Sequence, residues 1–329
     1  MRVLITGGAG YIGSHTAQRF AASGVEPVAF DNLQTGHRWA VRWGPLVEGD
    51  LADGGAIWEA LQQYRPEAVI HFAGSAYVGE SVQQPRQYFR NNVVNSLNLL
   101  DAMVDTGVQY IVFSSSCTTY GEPQRLPLAE DHPQHAVSPY GESKLFVEHA
   151  LGWYAGPYRL HYAALRYFNA AGADPDGGIG EVHDPETHLI PLAIQAALGQ
   201  RPALEIFGTD YPTPDGTAIR DYVHVADLAE AHVLALQHLM NGGDNLAANL
   251  GTGQGYSVRQ MIAAIERIGG RPVPLRIGPR RPGDPPALVA DAAKAQRVLH
   301  WQPQCSDIDM IIRTAWRWHN ERQAIATRN

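Results

Sequence analysis

The sequence sets Gly7-Gly8-Ala9-Gly10-Tyr11-Ile12-Gly13 directly after a short apolar run, Val3 to Thr6, and directly before an amphipathic stretch, Ile12 to Ala22. That order describes a strand-to-helix turn. Glycines allow the tight turn and close backbone approach, and the helix that follows presents unpaired N–H groups and a positive dipole to an anion. The spacing therefore predicts a pyrophosphate cradle at Gly7, Gly10, Tyr11, Ile12 and Gly13. A Gly-rich turn alone is more often only a turn, so Asp31 carries the second half of the argument. It closes the next apolar run, Pro27 to Phe30, about 20 residues past the glycines, where a carboxylate accepts from a ribose diol and repels a 2′-phosphate. NAD is favoured over NADP. Asn32 is placed beside it, and Asp50 with Leu51, ending a third strand, are placed to receive the adenine.

Further apolar runs at Leu46 to Glu48, Ala68 to Phe72 and Tyr110 to Ser114 alternate with helical stretches at Gly54 to Tyr64 and Pro85 to Thr106. The rhythm is that of βαβ units with right-handed crossovers. From about Asn169 the texture changes: residues 169–188 are rich in Gly, Asp and Pro and suit a binding loop or lid. Helices at 189–199, 226–240 and 257–268 and a strand at Ala203 to Phe207 follow. The expected architecture is α/β: a Rossmann doubly wound parallel sheet over 1–168 and a smaller mixed α/β substrate domain over 169–329. About 219–250 is free to return to the first. With 329 residues, 45% of them hydrophobic, the chain supports a large core, and a net charge of −8 offers nothing to nucleic acid or an acidic membrane surface. No apolar run approaches the roughly 18 residues of a membrane span. The opening residues leave no room for a signal peptide, and two cysteines, Cys117 and Cys305, suit a reducing cytoplasm.

Ser138-Pro139-Tyr140-Gly141-Glu142-Ser143-Lys144 reads as a helix start, with Ser138 at the N-cap and Pro139 at the first helical position. Tyr140 and Lys144 then lie at i and i+4, on one face. A phenol has a pKa near 10, and nearby positive charge, from Lys144 and an oxidised nicotinamide, would bring it down and make Tyr140 a general base. Tyr-x-x-x-Lys by itself is as well explained by a surface helix. Here it follows a dinucleotide turn and Ser114-Ser115-Ser116, which ends a buried strand on the ligand-binding edge of an open sheet. Ser116 is the third candidate.

Together these features resemble the extended short-chain dehydrogenases, and within them the UDP-glucose 4-epimerases. The resemblance runs nearly end to end, through Thr6 to His15, Phe30 to Leu33, His71 to Gly74, Val78 to Val82, Leu165 to Asn169 and Arg220 to Val225. Thr187 to Pro191 and Cys117 to Gly121 are similar to the wording of bacterial exopolysaccharide epimerases. The resemblance implies that Tyr140 removes the O4 proton while the C4 hydride passes to tightly bound NAD. Ser116 then bonds the same oxygen, and Lys144 holds the nicotinamide ribose. It also places Phe72, Ala73, Gly74, Asn91, Ser114 and Phe168 at the cofactor. Asn169, Leu189, Phe207, Arg220, Tyr222, Arg281 and Asp284 are placed at the UDP part, and His188 and Leu288 at the sugar pocket. Arg220 has a second reading, an ion pair with Asp221 or another carboxylate. A homodimer is implied through 85–106 and 140–154, with Leu97, Leu99, Leu100, Leu145, Phe146 and Leu151 as its apolar residues.

Departures from the family pattern bear on substrate choice. Ala76 stands where many of these epimerases have lysine, His188 replaces an asparagine, and Leu288 is intermediate between the bulky and small residues that exclude or admit N-acetyl groups. Dehydratases and decarboxylases resemble this chain but keep a carboxylate just after the active-site Ser or Thr, where Cys117 and Thr118 stand. UDP-xylose/UDP-arabinose and UDP-N-acetylglucosamine 4-epimerases remain alternatives, as does a non-catalytic NAD-binding protein. His183, Asp184, Glu186 and His188 are metal-ligating types, but the segment reads better as a polar pocket loop, and no metal is expected.

Overall fold

Val3, Leu4 and Ile5 have no exposed surface, so the first strand is covered on both faces, as an apolar run in a parallel sheet should be. The computed structural model describes residues 1–281 and 283–326, with side chains to Arg322. The last three residues of the second expected unit lie outside the described residues. The first part of the chain forms β1 (Arg2–Thr6), α1 (Tyr11–Ala22), β2 (Glu26–Asp31), β3 (Leu46–Glu48), α2 (Gly54–Tyr64), β4 (Ala68–His71), α3 (Val78–Gln83), α4 (Pro85–Tyr88), α5 (Asn95–Thr106), β5 (Tyr110–Ser116), α6 (Pro139–Tyr158) and β6 (His161–Tyr167). The rest forms β7 (Asn169–Ala171), α7 (Leu189–Ala197), β8 (Leu204–Phe207), β9 (Ile219–His224), α8 (Val225–Met240), β10 (Leu246–Leu250), β11 (Gly255–Ser257), α9 (Val258–Gly269), β12 (Leu275–Gly278), β13 (Ala287–Leu288), α10 (Ala293–Leu299) and α11 (Ile308–Ala326).

Seven parallel strands lie in the order β10-β6-β5-β4-β1-β2-β3. The chain winds outward one way through β2 and β3, then restarts at β4 on the other side of β1. That reversal opens a crevice at the carboxyl ends of β1 and β4. Alternation along β1 feeds two cores: Val3 and Ile5 pack with Phe20, Leu228 and Trp301, while Leu4 packs with Phe30, Leu61 and Leu99 on the opposite face. The segment 219–250 divides, since β9 joins a smaller sheet with β7, β11 and β13, whereas α8 packs on α1 and β10 joins the large sheet. A third core gathers α7, α9 and α11 around Ile194, Ile265 and Ile311.

Two details depart from the sequence reading. The helix expected over Pro85 to Thr106 contains a π-helical turn at Phe89–Val94 between α4 and α5. Of the six apolar residues assigned to a subunit contact, Leu99, Leu100, Leu145 and Leu151 are buried within this chain. Phe146 remains exposed and Leu97 partly so, because the inner stripes of α5 and α6 serve the sheet's own core. No helix among the described residues is long and apolar enough to cross a membrane.

Among the buried histidines, four have their pKa pushed down by burial. Burial pushes His15, His224 and His232 down to about 4 and His71 to about 3. His15 and His232 each place Nδ1 on a helical carbonyl, Tyr11 and Leu228 respectively, and leave Nε2 without a hydrogen-bond partner, as neutral rings would. An unfolded histidine takes its proton near 6.5. Between about 6.5 and 4 the unfolded chain therefore binds more protons than the folded one, so stability is full above that window and lost as pH falls through it. Urea unfolding should show the midpoint falling from pH 7 to pH 5, with up to about 1.4 kcal/mol per pH unit lost for each histidine.

Candidate active site

Gly7 follows β1 with φ +71, a left-handed value, and an added Cβ would stand 2.8 Å from the Ala73 nitrogen just past β4. A Cβ on Gly13 would meet the Gly7 carbonyl oxygen at 2.2 Å, so α1 starts hard against the turn. Gly10, the N-cap of α1, is extended and supplies no side-chain cap, which leaves the first-turn N–H groups of Tyr11, Ile12 and Gly13 to an external acceptor. Asp31 is buried and ties two loops together, accepting from Ala9 N at 2.9 Å and from Leu33 N at 2.8 Å. Burial pushes its pKa up, against these N–H bonds. Asn32 donates to Asp50 at 2.8 Å, and the Leu51 carbonyl accepts from Asn98. Across the crevice the Phe72 and Ala73 nitrogens both donate to the Thr6 carbonyl, just before Gly74. Asn91 sits in the π-helical turn and donates to Ser75 Oγ at 2.9 Å, while Asn92 brackets the Ser75 backbone. A π-turn at a site of this kind re-aims side chains that a regular helix would send elsewhere.

Ser116 ends β5, and its Oγ accepts from Thr118 N at 3.2 Å and Thr118 Oγ1 at 3.0 Å. Ser138 caps α6 by accepting from Gly141 N, with Pro139 in the first turn, as the sequence predicts. Tyr140 and Lys144 accordingly share a face, and Lys144 Nζ lies 5.9 Å from the Tyr140 ring centroid while donating to the Ser114 carbonyl at 2.8 Å. Burial pushes the Tyr140 phenol up to about 12, against a hydrogen bond with Ser116, and pushes Lys144 down to about 8, against the Glu148 carboxylate. Without further positive charge the phenol keeps its proton. Ser114 Oγ bonds the Tyr167 hydroxyl, and Phe168 packs with Cys117, Tyr120 and Leu128.

The remaining candidates lie from β7 onward. Asn169 pairs with Tyr222 in the β7–β9 register, and Leu288 pairs with Arg220 in the β13–β9 register. Arg220 makes its ion pair with Asp284, and Arg281 lies 4.1 Å from the Phe207 ring centroid. Asp221 serves another purpose, accepting from Thr252 and from the Gly253 and Ala290 nitrogens. His188 is the N-cap of α7, which Leu189 opens. Its Nδ1 lies 2.9 Å from oxygens of both Glu181 and Glu186, and His183 joins the same group. Burial would lower both histidines, but the carboxylates override it, carrying His183 to about 9 and His188 to about 10. Asp184, which the sequence grouped with these residues, is replaced by Glu181 in the cluster. Ala76 is exposed.

The sequence pattern of the NAD dependent epimerase/dehydratase family matches residues 3–251. The chain belongs to that family. It is 52% identical over 317 residues, 96% of this chain and 97% of the other, to a UDP-glucose 4-epimerase of Rhizobium leguminosarum bv. trifolii. The structure of UDP-glucose 4-epimerase from Brucella ovis in complex with NAD is similar at TM-score 0.94 and 57% identity, covering 96% of this chain and 97% of that one. The Stenotrophomonas maltophila enzyme, with bound NAD and formylated UDP-arabinopyranose, is similar at TM-score 0.95 and 43% identity, covering 99% of each chain.

Behind the serines of this epimerase/dehydratase chain lies a polar group that the sequence reading did not isolate. Arg166 of β6 donates to Glu148 of α6 through Nε, at 2.9 and 3.2 Å, and through Nη2 at 2.5 Å. Ser115 also donates to Glu148, and Arg166 Nη1 reaches the Tyr120 hydroxyl, which donates to Asn249. The available signal was an arginine inside an otherwise apolar strand, Leu165-Arg166-Tyr167.

Proposed function

We propose that this chain is a UDP-glucose 4-epimerase, interconverting UDP-glucose and UDP-galactose through a 4-keto sugar. The observation that carries the reading is Tyr140, Lys144 and Ser116 convening at the switch-point crevice with Cys117 and Thr118, not an acid, after the serine. The bare Gly10 to Gly13 turn and the buried Asp31 fit a dinucleotide, and Asn32, Asp50, Leu51, Phe72, Ala73, Gly74, Asn91, Ser114 and Phe168 complete its surroundings. When bound, NAD supplies the hydride acceptor and donor for C4. Lys144 holds the nicotinamide ribose and keeps positive charge beside Tyr140, and Tyr140 as phenolate takes the O4 proton as C4 becomes a carbonyl. Ser116 holds that oxygen. The keto sugar turns over on its diphosphate tether, and Tyr140 returns the proton on the other face. Such a site must hold UDP firmly and the sugar loosely. Arg220 and Arg281 serve the diphosphate, with Asn169, Leu189, Phe207, Tyr222 and Asp284 around the nucleotide and His188 and Leu288 toward the sugar.

Product analysis of the purified protein on UDP-glucose, UDP-galactose, their N-acetylated forms and UDP-xylose tests this reading. Interconversion of the hexoses supports it, and the N-acetylated pair measures the tolerance of Leu288. Turnover of UDP-xylose alone would move the chain to the pentose epimerases, a reading favoured by the arabinose nucleotide in the Stenotrophomonas enzyme. No conversion with NAD supplied would leave an NAD-binding protein.

We further propose a two-lobed division near Phe168, with α8 and β10 returning to the first lobe, a cytoplasmic setting consistent with two free cysteines, and the exopolysaccharide type suggested by Thr187 to Pro191. The same reading makes the chain a homodimer. Phe89, Val94, Phe146 and Trp153 are exposed on the π-turn and α6, which pack together, and Trp153 is 81% exposed. Light scattering at micromolar concentration should give twice the 35.9 kDa chain mass, and Trp153→Glu should shift the protein to monomer.

A further inference from the structure

We propose that Glu181, His183, Glu186 and His188 form a site for one divalent cation of the zinc or cobalt class. The four side chains come from a single loop between β7 and α7, and one ligand atom from each lies within 4.8 Å of all the others. The imidazole-to-carboxylate separations are 2.9, 2.9, 3.2 and 3.6 Å, with His188 facing one Glu186 oxygen and His183 the other. Bonds of about 2.0–2.2 Å to a tetrahedral ion put neighbouring ligands about 3.3–3.6 Å apart, whereas these ligand atoms spread over as much as 4.8 Å, so the group would draw together around the ion. A second observation points the same way: His183 Nδ1 is fully buried, faces both carboxylates, and makes no hydrogen bond. A metal would take this nitrogen in exchange for its proton. The loop is held from outside the cluster, because Trp318 Nε1 donates to the Glu181 carbonyl at 3.0 Å and His37 Nε2 lies 3.2 Å from the Val182 carbonyl. The ligands are thus placed before any ion arrives.

Two imidazoles and two carboxylates match the nitrogen and oxygen set of a borderline divalent ion and would neutralise its charge. The His183 ring stands edge-on to Tyr11 and Tyr77, at 6.4 and 6.1 Å between centroids, so the ion would clasp the loop against the Gly-rich turn and fix the start of α7. The role is positional: the ion would hold His188 and the start of α7 at the proposed sugar pocket without entering the chemistry.

The test is cobalt titration of the untagged full-length protein after removal of metals by chelator and desalting. Uptake of one Co²⁺ per chain, with the intense visible bands of a tetrahedral site bleached by one equivalent of Zn²⁺, is the expected result. His183→Ala and Glu181→Gln should each weaken uptake by more than about tenfold, while Asp184→Asn should leave it unchanged. Thermal unfolding in chelator shows whether each variant is folded, and the wild-type titration stands without them. Only the weak bands of a six-coordinate ion, no stoichiometric uptake, or full bands in both folded variants would overturn the site.

Discussion

Tyr140→Phe should lower turnover of UDP-glucose by roughly a hundred to ten thousandfold, the range over which one positioned proton-transfer group acts, while bound NAD is retained. The change removes one hydroxyl and keeps the ring, which stands edge-on to Tyr88 at 6.4 Å between centroids. The parts that would hold the dinucleotide are untouched: the turn from Gly7 to Gly13 and Asp31 lie on β1, α1 and β2, and Lys144 keeps its bond to the Ser114 carbonyl. Burial already holds the free phenol up at about 12, so the site is arranged to release this proton only when positive charge is brought beside it. Product analysis gives the rate, and absorbance of the denatured supernatant gives the cofactor content. Turnover within a few fold of wild type would mean that another group moves the O4 proton, while loss of NAD would mean that Tyr140 acts mainly in holding the cofactor.

Features governed by local spacing were legible in the sequence. The strand, Gly-rich turn and helix at Arg2 to Ala22, the acid ending β2, and the Ser138 cap that puts Tyr140 and Lys144 on one face all depend on neighbours within a few residues. The π-turn at Phe89–Val94 carries no distinct periodicity, because it inserts a single wider turn into a helix whose composition stays helical. Leu99, Leu100, Leu145 and Leu151 misled for another reason: an apolar stripe declares that a face is covered, and only the packed structure tells whether the chain's own sheet or a partner covers it. Glu181 escaped because it lies outside the His-x-x-Glu-x-His run that drew attention to the loop, and only the fold brings its carboxylate back to His183 and His188.

The pairing least visible in the sequence carries the largest expected stability effect. Glu148→Ala should destabilise the protein by about 3–5 kcal/mol, because it strands a charge that the fold cannot hydrate. The Arg166 side chain is 6% exposed and the Glu148 side chain 7%. With the carboxylate gone, Arg166 would keep only the Tyr120 hydroxyl, and Ser115 would lose its acceptor beside the reacting end of β5. A lowering of the melting temperature on the order of 10 °C follows. Replacing both partners by apolar residues, Glu148→Leu with Arg166→Met, should recover most of the loss, since the penalty lies in the unpaired charge rather than in the absence of an ion pair. A single-variant loss below about 1 kcal/mol would show that water or another group reaches Arg166. A double variant as unstable as the single one would show instead that the pair is needed for its shape, with Ser115, Tyr120 and Asn249 depending on its hydrogen bonds to hold the floor of the site.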